Sequence, residues 1–322
     1  MRSHAVVFMV CAVILLSFPQ GSSAQWVQTI GPGRGPVSAL AVVGTNLFAR
    51  TADGTFISTD QGTSWTSVSS RLPGLKWIAG YAEIGPNLFA ATDQGIVRSR
   101  DNGANWEKPN PGLPVKTQLR HLVLAACGET LFAATYLRVY QSDNYGAGWE
   151  EVKIGLTEGV GFETIEDLAV VGADLYALVG NEGSGRVYMS TKDGVRWRAF
   201  KVFPTRIGAQ SLAVSGQRLL AGGEGSIYTI SNNGGRAKIV PHELPEGVMA
   251  ECFAVSGTTI FAGTNNGIFC SADNGENWEA IKPGLADIHI QSLAVGGKYL
   301  FAGTGHSGVW RLPLADLFPE KR

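Results

Sequence analysis

A seven-bladed all-β propeller is the fold class predicted by this chain of 322 residues, and three observations predict it. One apolar unit recurs seven times. Each copy splits into four short strand-like runs. The stretch just after the N-terminal apolar segment matches the piece missing from the last copy.

The unit reads SLAV-x-G, then a run such as LFAGT, a short Gly turn, a run such as GIF-x-S, and a turn ending in Trp. It opens at SALAVVGTNLFART (38–51), AEIGPNLFAAT (82–92), HLVLAACGETLFAAT (121–135) and DLAVVGADLYAL (167–178). It returns at SLAVSGQRLLAGG (211–223), CFAVSGTTIFAGT (252–264) and SLAVGGKYLFAGT (292–304). The large apolar residue of the second run falls at Phe48, Phe89, Phe132, Tyr176, Leu220, Phe261 and Phe301. That spacing averages about 42 residues, in the range of four-stranded propeller blades.

Runs rich in β-branched and aromatic residues, bounded by Gly, Asn and Asp, read as strands. In the sixth copy CFAVS, TIFAG, GIFCS and NWEAI become strands a to d. The turns TNNG and ADNGE join them, and their Asn-Gly pairs supply the positive φ that a tight hairpin needs. The seventh copy stops at SGVWRLPL without a fourth run. QWVQTIGPG (25–33) matches the fourth-run tails WTSVSSRLPG (65–74) and WEAIKPGL (278–285). Residues 26–30 are therefore predicted to be the outer strand of the last blade, closing the ring with both ends of the chain in one sheet.

Composition agrees and narrows the function. Forty-two Gly and only 16% charged residues suit a protein of many tight turns. A formal charge of −1 without blocks of like charge points away from nucleic acid and from anionic membrane surfaces. Arg2, His4 and the apolar run AVVFMVCAVILLSF (5–18), followed by PQGSSA, read as a secretory signal cleaved after Ala24. A retained anchor is the alternative, but the run is short for a span and Pro19 ends it. The expected organisation is a signal over 1–24, a propeller over 25–318 and a tail over 319–322. The mature protein is expected to be monomeric, secreted or periplasmic, and without a membrane span.

Three cysteines remain, Cys127, Cys252 and Cys270, so at least one thiol is free. Cys252 and Cys270 fall on strands a and c of one blade, with strand b between them. Two strand spacings are about 9.5 Å, beyond disulfide reach. All three are expected to be reduced. No Cys-x-x-Cys or His-rich spacing is present, so neither metal nor cofactor is expected.

The turns from strand c to strand d share a pattern. SADNGENW (271–278), STDQGTSW (58–65) and SRDNGANW (99–106) read Ser-x-Asp-x-Gly-x-x-Trp. SDNYGAGW (142–149) has Asn144 at the Asp position, and STKDGVRW (190–197) has Lys192 there. SNNGGRAK (231–238) keeps Ser231 and Gly235 but has Lys238 at the Trp position. The element resembles the Asp-box, or bacterial neuraminidase repeat. Asp60, Asp101, Asn144 and Asp273 are expected to cap backbone N–H groups of the turn, with Gly taking the positive φ. Trp65, Trp106, Trp149, Trp197 and Trp278 are expected to lie on the sheet as strand d begins. A hairpin clamp benefits from repetition in every blade and a catalytic group does not, so these residues are read as structural.

Copies of the form LFAGT-x-x-GIF-x-S-x-DNG-x-x-W also resemble the photosystem II stability/assembly factor and sortilin-type propellers. That resemblance implies a scaffold that binds partners over one face and carries no catalytic residues. Sialidases resemble the chain through the same turns, but their early Arg-Ile-Pro segment is absent, and TRIGA (205–209) has Gly in place of Pro. The resemblance places ligands where the d-to-a and b-to-c loops converge over the central channel. The candidates there are Arg34, Trp77, Arg120, His121, Tyr136, Glu163, Arg206, His242, His289 and His306. A protein partner is the preferred ligand. A lectin-like carbohydrate site and a sialidase-like glycoside hydrolase are the alternatives.

Overall fold

The computed structural model describes residues 25–33, 35–68, 78–93, 95–107, 113, 122–135, 138–153, 164–181, 184–191, 196–202, 211–233, 236–281, 284–285 and 288–317. Within them the chain forms a seven-bladed β-propeller with almost no helix. The innermost strands a are Val37–Val43, Ile78–Ile84, Val123–Cys127, Thr164–Val171, Ser211–Ser215, Ala250–Ser256 and Ile290–Gly296. Each packs against the next, and the last packs against the first.

The ring closes as the repeat predicts. In blade 7, strand a is followed outward by Tyr299–Thr304, Val309–Pro313 and then the N-terminal strand Val27–Gln28. Val27 pairs with Arg311 and Gln28 with Trp310. Trp26, only 4% exposed, anchors this strand in the apolar layer it shares with Phe261, Ile290 and Leu312.

The core is a series of layers between blades. Phe48, Phe89, Phe132, Phe261 and Phe301 on strands b are among the largest fully buried side chains, and Tyr176 and Leu220 take the same place in blades 4 and 5. Each such residue contributes roughly 1.5–3 kcal/mol by burial. The repeat exists because every blade must fill the same wedge against its neighbour.

In blades 1, 2, 3 and 6 the c-to-d turn is built from one set of bonds. The Gly62, Gly103, Gly146 and Gly275 N–H groups donate to the hydroxyls of Ser58, Ser99, Ser142 and Ser271 at 2.7–2.9 Å. Those hydroxyls donate to Oδ1 of Asp60, Asp101, Asn144 and Asp273 at 2.8–2.9 Å. The same Oδ1 atoms accept from the N–H of Ser64, Asn105, Gly148 and Asn277.

The residue before each Gly is also left-handed: Gln61 (φ 59°), Asn102 (54°), Tyr145 (56°) and Asn274 (59°). Asn-Gly pairs are expected to supply such angles, and Gln61 and Tyr145 supply them as well. This second residue turns its carbonyl toward the preceding blade. Asn46 donates to Asn102 O at 2.8 Å, Arg218 to Asn274 O at 3.2 Å and Arg311 to Gln61 O at 2.7 Å. The turn is thus a clamp between blades as well as within one.

Blade 5 departs from the sequence alignment by one residue. Leu47, Leu88, Leu131, Leu175 and Ile260 of strands b face Ser58, Ser99, Ser142, Ser190 and Ser271. The matching Leu219 faces Ile230, so Ser231 does not hold the turn-serine position. Ser190 pairs with Trp197, whereas Ile230 pairs with Ile239. Ile239 packs against the layer between blades 4 and 5, taking the place of a Trp. Lys238 is therefore not the substituted tryptophan. A one-residue slip moves every side chain to the opposite face, and an apolar residue at 239 fits that layer where lysine would not.

Candidate functional site

The channel mouth is shaped by irregularities in strands a. Five of them change register near their start, between Val37/Ala39, Ile78/Gly80, Ile165/Asp167, Ala250/Cys252 and Ile290/Ser292. Ser38, Ala79, Glu166, Glu251 and Gln291 are the extra residues. A bulge re-aims side chains at a rim.

The residue after the bulge ties its blade to the next. Ser292 donates to Val37 O at 2.8 Å, and Cys252 Sγ to Ile290 O at 3.8 Å. Asp167 instead accepts, from Leu212 N–H at 2.7 Å and its neighbour Leu168 N–H at 2.8 Å. Desolvation pushes the Asp167 carboxyl up to about 7, against the pull of those two bonds.

Of the ten loop-face candidates, Arg34, Trp77, Arg120, His121, Tyr136, Glu163 and Arg206 lie outside the described residues. The remaining three separate. His289, immediately before strand a of blade 7, places Nε2 at 3.1 Å from both carboxylate oxygens of Glu251. His306 is exposed in the b-to-c turn of the same blade, beside the Gly305 N–H that donates to His289 O at 2.9 Å. These two share a corner of the mouth with Ile288, 51% exposed, whose carbonyl accepts from Gly267 N–H at 2.6 Å.

His242 is not on that face. It lies within strand d of blade 5, Arg236–Glu243, because this strand runs further than the repeat pattern suggested. Its Nε2 sits 2.9 Å from Thr229 Oγ1, which donates to Gly275 O at 3.3 Å in the c-to-d turn of blade 6. Desolvation lowers its pKa, outweighing the nearby Glu276 and Asp273 charges. Sequence reasoning missed Glu251 and Ile288. The signal that marks Glu251 is a charged residue at the start of an otherwise apolar strand-a run.

The acidic groups of the c-to-d turns have their lone pairs occupied. Bonds from the Ser64 side chain and backbone hold Asp60 down to about 2, and Asn105 lowers Asp101 in the same way. Burial raises Asp273, but bonds from Asn277, Ser271 and Glu276 outweigh it and keep it below the ordinary range. Among the described residues no group of three or more His, Cys, Asp or Glu comes together that could hold a metal.

None of the described cysteines forms a disulfide. Cys252 and Cys270 stand on strands a and c of blade 6, and burial raises both thiols, Cys270 to about 12. Neither is a ready thiolate nucleophile. A cleft of about 430 Å3 lies on the c-to-d side of the ring, lined among others by Tyr176, Arg218, Ser231, Lys238 and Glu276.

No family model and no curated protein matches the chain. Solved structures do match it. The extracellular domain of BT4673 from B. thetaiotaomicron superposes with a TM-score of 0.70 at 17% identity, over 89% of this chain and 39% of that one. The GH74 xyloglucanase of Xanthomonas campestris gives 0.69 at 19%, over 91% of this chain and 54% of that one. YCF48 from Cyanidioschyzon merolae gives 0.67 at 15%, over 90% of this chain and 98% of that one. The chain thus spans well under two thirds of the first two proteins and nearly all of the third. At these identities the likeness is one of fold. Among the described residues no helix is long and apolar enough to cross a membrane.

Proposed function

We propose that the protein is a secreted scaffold that captures a segment of another protein over its channel mouth and performs no chemistry of its own. The observation that carries this reading is the corner formed by Glu251, His289, His306 and the exposed Ile288. It offers an apolar contact beside paired acceptor and donor groups, as a peptide side chain and its backbone require. The correspondence with YCF48 over nearly its whole length supports it, since one structure of that protein is of YCF48 bound to D1 peptide, at TM-score 0.65 and 14% identity. The c-to-d turns are read as Asp-boxes and residues 1–24 as a cleaved leader. The monomer is the proposed binding unit.

The test is a peptide array probed with the protein beginning at Gln25, with hits measured by calorimetry. Binding that falls at least about tenfold in Ile288→Asp and His289→Ala is expected, because a hot-spot residue is worth about 1.4 kcal/mol or more. Turnover of sialosides or glucan oligosaccharides by the same preparation would replace the scaffold with a hydrolase.

A further inference from the structure

The blades differ at the outer rim. The outermost strand is two residues long in blade 1 (Thr66–Ser67), blade 6 (Glu279–Ala280) and blade 7 (Val27–Gln28), and three in blade 3 (Glu150–Val152). Among the described residues of blade 2 it is the single bridge Arg98–Glu107. Blades 4 and 5 instead carry full strands, Arg196–Val202 and Arg236–Glu243, of seven and eight residues. Both end their sheets, so one row of N–H and C=O groups on each faces away from the blade.

The two long edges are not equivalent. Blade 5 has Pro241 in its strand, which removes a donor from the row. Blade 4 has no proline. Its strand reads RWRAFKV, with three basic residues and no acidic one, in a chain of net charge −1. Arg198 and Ala199 are exposed. Like charges stop such an edge from pairing with a second copy of itself. An acidic strand meets the same charges as attraction.

We propose that the outer edge of blade 4 is a docking site for an extended acidic segment of another protein, which adds to the sheet as a fifth strand. Backbone bonds to Arg196–Val202 supply the fit, broken once at the bulge where Phe200 faces no residue of strand c. The exposed Arg198 selects for acidic side chains. The site lies on the rim of the ring and is separate from the channel mouth.

The probe is a fluorescein-labelled octapeptide of alternating Glu and Val, with alternating Lys and Val and with polyglutamate as controls. Anisotropy at low salt is expected to show binding of the Glu–Val peptide only, weakening as salt screens it. Exchange of the amides over 196–202 is expected to slow on binding. Arg198→Glu is expected to weaken binding about fivefold, Ala199→Pro to abolish it, and Lys238→Glu on blade 5 and His289→Ala at the mouth to leave it unchanged. Arg198→Glu alters an exposed side chain and decides the matter if Ala199→Pro does not fold. Equal binding of polyglutamate, no protection at 196–202, an unaffected Arg198→Glu, or no binding of the Glu–Val peptide each overturns the proposal. Loss on His289→Ala would move the peptide to the mouth and overturn it too.

Discussion

Blades 5 and 6 stand side by side, with RLLAGG and TIFAGT as their second strands, yet they finish differently. Blade 6 makes a broad turn in which Ser271, Asp273 and Gly275 bond one another and the Asn274 carbonyl reaches blade 5. Its outer strand then has only two residues. Blade 5 pairs straight through from Ser226–Glu243 to Asn233–Arg236 and keeps a long outer strand. The polar turn therefore substitutes for strand pairing: bonds spent in the turn and to the neighbour replace ladder bonds at the rim. In blade 5, where Ile230 takes the turn-serine position, the ladder extends and an edge is left open.

The largest expected effect comes from filling the turn. In blade 2 a Cβ on Gly103 (φ +85°) would come within 2.5 Å of Phe48 Cζ. Gly103→Ala should therefore cost about 3 kcal/mol in urea unfolding, through strain and overpacking together. Removing the cap is next. Asp273→Ala should cost about 2 kcal/mol, and Asp273→Asn about half of that, because Asn144 already serves blade 3 through Oδ1. In blade 5, which does not use this turn, Lys238→Ala should stay within about 0.5 kcal/mol of the parent. A large loss there would show that the blades are more alike than their pairing indicates.

The pH dependence sharpens the comparison further, with smaller effects. Asp60 falls from the ordinary 3.8 to about 2 on folding. Its contribution is complete above 3.8 and is lost as pH falls through 2. Asp60→Asn should give a shallower acid limb in urea midpoints. Asp167 has the opposite sign, since its folded value rises from 3.8 to about 7. It weakens the fold progressively as pH rises through that window. Asp167→Asn should flatten the slope between pH 4 and 7, whatever its effect on absolute stability. An unchanged slope would mean that this carboxyl is not the group titrating there.

Much of the ring could be read beforehand, and the reason is repetition. Seven copies report the same wedge, so Phe48 and its equivalents identify strand b, and Trp26 identifies the displaced outer strand, without any coordinates. The channel mouth could not be read in that way. His242 is a loop-face candidate by its place in the repeat, whereas it lies inside the long outer strand of blade 5, an edge strand that accepts Pro241. Glu251 was hidden inside a strand.

The sequence by itself determined the number of blades, the closure and the capping residues of four turns, because each of these depends on spacing along the chain. Only the tertiary structure decided which face each side chain takes in blade 5, which blade each turn grips and how long each rim strand runs. Those features depend on a one-residue register and on contacts between neighbouring blades, which periodicity averages away.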